Sequence, residues 1–109
     1  MIFISFDDFL IKAKRQKRLS FQEEKALAHK INKGEEEALE KLLNGYSFYI
    51  ASCIKKHGEQ FCTLAFLYRC IAEIEKEAMK HDFSIDNNDF TKKISVIIKK
   101  KIVEKIAEN

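Results

Sequence analysis

The chain of 109 residues contains no proline, no tryptophan and only three glycines, Gly34, Gly45 and Gly58. Without proline nothing forbids long helices. With so little glycine, the candidate breaks are few and easily placed. No alternating strand pattern of useful length is present, so the expected fold is all-α, a compact bundle of about five to six helices. No apolar run approaches the ~20 residues of a membrane span, and the first residues lack a signal peptide's apolar centre. The cysteines, Cys53, Cys62 and Cys70, are odd in number and lack paired zinc-ligand spacing, which points to reduced thiols and a cytoplasmic protein. His29, His57 and His81 are scattered, so no metal site and no cofactor are expected. No glycine-rich phosphate loop, nucleophile–histidine pair or facing carboxylate dyad stands out, and an enzyme is not expected.

What is present is charge, unevenly placed. The net charge is only +3. Yet Lys12, Lys14, Arg15, Lys17 and Arg18 crowd the first helix, and Lys92, Lys93, Lys99, Lys100, Lys101 and Lys105 crowd the last. The stretch Glu23 to Glu40 between them is acidic. Basic ends around a more acidic middle suit contact with nucleic acid at the ends and protein at the centre, and charge alone fits ordinary solvated helix faces of a lysine-rich protein better.

Apolar spacing and caps place the elements. Ser5, with Asp8 three residues on, starts a helix from about Phe6 to Lys17 that buries Phe6, Phe9, Leu10 and Ala13. Ser20 and Glu23 form a capping box, and the following stripe of Leu27, Ala28 and Ile31 stops at Gly34. Glu35, Glu36 and Glu37 suit the positive end of a third helix carrying Ala38, Leu42 and Leu43. Gly45 is expected to separate it from a fourth helix, Tyr46 to Lys56. That helix's Phe48, Tyr49, Ile50, Cys53 and Ile54 are assigned to the core. Gly58 ends it, and a fifth helix runs from about Phe61 to Lys80. SIDNND, Ser84 to Asp89, reads as a loop. The sixth helix buries Phe90, Ile94, Ile97 and Ile98, continued by Ile102 and Ile106.

From Leu19 to His57 the order Leu-Ser-x-x-Glu-Glu-x-x-Leu-Ala-x-x-Ile-x-x-Gly-Glu-x-x-Ala-x-x-x-Leu-Leu resembles the start of the core domain of the sigma-70 family of bacterial promoter-recognition subunits. Phe9-Leu10, Arg15 and Leu19-Ser20 are similar to the family's segment 1.2. Tyr46 to His57 is similar to helix 2.1, Met79 to Phe83 to the end of helix 2.2, and Phe90-Thr91 to the start of the promoter-reading helix. The resemblance implies one domain over residues 1–109, with residues 1–18 a region 1.2-like helix and 19–109 the core. It stops with the chain at Asn109, without the domains that read the −35 element. A stand-alone module is therefore expected, one that binds RNA polymerase, −10 promoter DNA or a second sigma-like polypeptide supplying −35 recognition.

The departures define the candidate site. Where the family carries Asp-Leu-Ile-Gln-Glu-Gly against the β′ clamp helices of polymerase, this chain has Ala65-Phe66-Leu67-Tyr68-Arg69-Cys70. Two carboxylates are lost and a guanidinium gained, which opposes the usual contact. Ala65, Phe66, Tyr68 and Arg69 are the candidate partner interface, with Tyr68 its anchor. Where promoter-melting members place stacking rings, Lys93, Val96 and Ile97 stand. At ~100° per residue Lys92, Lys93, Val96, Lys99, Lys100 and Val103 share one face of the last helix, the face implied to read −10 DNA. Lysines there would meet phosphates and valines base methyls. The competing expectation is a sigma-like protein-interaction module that binds no DNA.

Overall fold

A computed structural model describes residues 3–85 and 89–108; of the expected Ser84–Asp89 loop, Asp86, Asn87 and Asn88 lie outside the described residues. The all-α expectation holds. The elements are α1 (Phe6–Lys14), α2 (Phe21–Asn32), α3 (Glu36–Lys55), a single 3₁₀ turn (Glu59–Phe61), α4 (Leu64–Ala78) and α5 (Asp89–Glu108).

The helix starts follow from the caps. Ser5 Oγ accepts the Asp8 amide at 3.1 Å, and Asp8 in turn accepts the Ile4 amide at 3.1 Å. At α2 the capping box is complete, with Ser20 and Glu23 exchanging bonds of 3.1 Å. Thr63 Oγ1 accepts the Phe66 amide at 3.2 Å and starts α4. This leaves Phe61 in the 3₁₀ turn, inside the core, ahead of the helix it was expected to open. α1 stops at Lys14, three residues short of expectation. Beyond the buried Ala13 the run Lys14 to Arg18 offers no apolar side chain, so no packing offsets the entropy of extending the helix.

Glycine closes two helices. Gly34 has φ +86°, and its amide and that of Glu35 return to the carbonyls of Ile31 and Lys30 at 2.9 and 3.2 Å. Gly58 has φ +128° after α3. Gly45 breaks nothing: the expected third and fourth helices are one, α3, running unbroken through it.

That helix is the axis of the fold and packs against each of the other α-helices. Its Leu42, Leu43, Tyr46, Ile50, Cys53 and Ile54 meet Phe9 of α1, Ile31 of α2, Phe66, Leu67 and Ile74 of α4, and Ile94 and Ile98 of α5 in one continuous core. Phe48, assigned to that core from sequence, is 48 % exposed. At ~100° per residue it lies roughly opposite the Leu42–Tyr46–Ile50–Cys53 stripe.

Candidate nucleic-acid interface

α5 buries Phe90, Ile94, Ile98 and Ile102 along one side. Four-residue steps along the buried stripe put Lys92, Val96, Lys99 and Val103 on the opposite side. Val96 and Val103 are 64 % and 65 % exposed. Lys92, Lys99 and Lys100 are exposed, and Lys99 and Lys100 have no ion-pair partner among the described residues. Lys92 reaches Asp89 one turn earlier at 3.7 Å. Ile106, expected in the buried stripe, is 61 % exposed and extends the valine row instead. The drift of a 3.6-residue repeat carries it out of the contact.

Lys93 does not join the outward lysines. It is half-buried and turns to Glu77 of α4 at 3.4 Å. Lys101 reaches Glu73 of α4 at 3.8 Å, and Glu104 at 3.3 Å. Arg69 of α4 reaches Glu108 at 3.2 Å. Positions 69, 73 and 77 follow one face of α4 and meet 108, 101 and 93 of an antiparallel α5. The result is a charged ladder along the seam.

The ladder also alters the expected partner interface. Arg69 faces outward but is already paired, so the charge inversion there is balanced within the chain. Phe66 is no interface residue: it is 2 % exposed and packs its ring 5.5 Å from Phe61. As the third residue of α4 it falls on the core side, beside Leu67 and Cys70. Ala65 is exposed and Tyr68 is 38 % exposed. The Tyr68 hydroxyl accepts the Phe3 amide at 3.4 Å. Phe3 packs edge-on to Phe9 at 4.8 Å, under the Lys12 ammonium at 5.4 Å.

Sequence reasoning missed a cleft of ≈ 340 Å³ between the end of α1 and the middle of α3. Lys14 and Arg18 bring positive charge to it, Phe48 and Tyr49 bring rings, and Gln16 and Ser52 bring neutral polar groups. Phe48 off the α3 core stripe was the available signal. The wall at Tyr46 is firmly held, since its hydroxyl donates a short hydrogen bond to Glu24 Oε1 of α2. Burial, followed by that bond, pushes the Tyr46 phenol well above the ordinary tyrosine range, so it stays a donor at any physiological pH. The Tyr46 ring also meets Phe90 edge-on at 5.0 Å, joining the cleft wall to the first turn of α5. Phe90 continues to Phe83 and His81, with centroids 5.0 and 5.2 Å away.

Among the described residues no group of three or more histidine, cysteine or acidic side chains is placed to hold a metal, and no helix is long and apolar enough to cross a membrane. No known protein family, curated protein or solved structure matches the chain.

Proposed function

We propose that this chain is a sigma region 2-like module of transcription initiation that contacts −10 promoter DNA through the outward side of α5. One observation carries the reading. The unpaired Lys99 and Lys100 stand between two exposed valines, Val96 and Val103, on the helix that the sigma-70 resemblance assigns to promoter reading. Lys99 and Lys100 would neutralise phosphates, with Lys92 as a weaker third. Val96 and Val103 would contact base methyls. The cleft beside Phe48 adds a place where an unpaired base can lie on a ring with its phosphate near Arg18 or Lys14. Polymerase core and a second sigma-like polypeptide are the protein partners of this reading.

Fluorescence anisotropy with a labelled forked −10 duplex tests it. The expected result is binding that weakens steeply with added salt and falls at least tenfold in Lys99→Glu/Lys100→Glu. No binding at low salt, or binding indifferent to salt, overturns it.

A protein-interaction module without DNA contact is favoured by a different observation. No aromatic ring stands on the outward side of α5, while Tyr68 and Ala65 are exposed on α4. Recovery of the polymerase β′ subunit from native lysate, together with a DNA shift, would exclude it.

A further inference from the structure

The outer side of α2 faces the segment after α4 across a groove of ≈ 910 Å³, with lysines reaching it from both walls. Lys25, His29 and Lys33 recur every four residues along α2, with Lys30 beside them, and Lys80 and His81 face them from the other wall. The four lysines are exposed and have no ion-pair partner among the described residues. Two carboxylates share the groove, Glu35 and Asp82. Asp82 is taken by Ser84, whose amide and hydroxyl donate to it at 2.9 and 2.5 Å. One ring nitrogen of His81, Nδ1, is buried and without a partner. Like charges facing each other with so little acid between them repel, and a multivalent anion seated in the groove would turn that repulsion into attraction.

We infer that this groove between α2 and residues 79–84 is a binding site for a compact polyphosphate, a run of two or three phosphates, free or carried by a nucleotide. The arrangement of charge selects the class. Lys25 and Lys33 stand about 12 Å apart along α2, with Lys30 between them and Lys80 opposite, so their long side chains can converge on one short run of phosphates. Lysine binds such groups as a mobile point charge and needs no fixed fork geometry. Gln22 and Asn32 supply neutral donors on the same wall. The site is separate from the outward side of α5 and does not depend on the DNA reading.

Calorimetric titration of the full chain with sodium tripolyphosphate, a nucleoside triphosphate and sodium sulfate tests the site. Saturable one-to-one binding of tripolyphosphate is expected, weakened at least tenfold in Lys25→Gln/Lys80→Gln and unchanged in Lys99→Gln/Lys100→Gln. A nucleoside triphosphate binding as tightly as tripolyphosphate identifies the phosphates alone as the ligand; tighter binding identifies a nucleotide. Backbone amide shifts confined to residues 22–33 and 79–84 on adding tripolyphosphate provide a second readout that needs no variant. Absence of saturable binding, equal affinity for sulfate, or an equal loss in the Lys99/Lys100 variant overturns the assignment.

Discussion

The side chain of Leu19 lies directly over the α-carbon of Gly45: a methyl group placed there would sit 2.7 Å from Leu19 Cγ and 2.8 Å from Cδ1. The glycine is therefore a packing requirement and not a helix stop. On propensity alone, Gly→Ala inside a helix gains about 1 kcal/mol. Here that gain is opposed by displacement of Leu19, which is half-buried against the core. Gly45→Ala is expected to lower stability by about 1 kcal/mol in urea melts, as overpacking does. In a Leu19→Ala background the same change is expected to stabilise by up to about 1 kcal/mol. An equal effect in both backgrounds would refute the packing account.

Tyr46 and Glu24 tie α3 to α2. A hydrogen bond to a charged acceptor contributes about 1.5–3 kcal/mol, so Tyr46→Phe is expected to lose stability in that range at pH 7. The pH dependence has a definite sign. The folded phenol is raised above its unfolded value, so its stabilisation is fully present below about pH 10 and declines as pH rises further. Urea melts at pH 7 and 11 should converge for wild type and Tyr46→Phe.

His81 behaves oppositely. Burial, and then the nearby Lys93, hold its imidazole below the ordinary histidine range, against the opposing pull of Asp89, Asp82 and Glu77. Folding favours the neutral ring, so this contribution is present above about pH 6.5 and disappears as pH falls. The thermal midpoint is expected to drop between pH 7.5 and 5.5, and the drop to shrink in His81→Gln. A wild-type slope retained in the variant would assign the acid sensitivity elsewhere.

Phe66 and Tyr68 separate core from surface on α4. Phe66→Ala removes a fully buried ring and is expected to destabilise by about 3–5 kcal/mol. Tyr68→Ala gives up a long, exposed hydrogen bond and should change stability by less than about 1 kcal/mol. Denaturant midpoints for the two variants decide this directly.

Glu77→Gln releases Lys93 from the seam. Solvent-accessible pairs of this kind, even half-buried, contribute about 0–1 kcal/mol, so folding should be little affected. Affinity for the −10 duplex is expected to rise two- to threefold. Unchanged affinity would place Lys93 outside the DNA contact.

Much of the architecture was legible because it is written locally. The Ser20–Glu23 capping box, Ser5 before α1, and the left-handed glycines at 34 and 58 each act within a few residues of themselves. Gly45 could not be read the same way, because its reason is a leucine 26 positions earlier. Phe48 and Ile106 were misplaced because composition marked them apolar, whereas their helices turn them off the core stripe. In the candidate site, the outward position of Lys92, Val96, Lys99, Lys100 and Val103 followed from helical period alone. The fates of Arg69 and Lys93 did not. Both depend on the alignment of α4 against α5, a relation between two helices that neither helix encodes by itself.

That alignment sorts the lysines of α5 into two electrical populations. Those facing α4 already have carboxylates as counterions and would release few further ions to a nucleic acid. Lys99 and Lys100 carry mobile counterions, and Lys92 does so in part. Counterion release scales as about 0.9 per phosphate neutralised, so two to three engaged lysines give a log–log salt slope of about −2 to −3. A count of lysines along the same helix would anticipate a steeper slope. The polycation offered to a nucleic acid is therefore smaller than the one the composition describes.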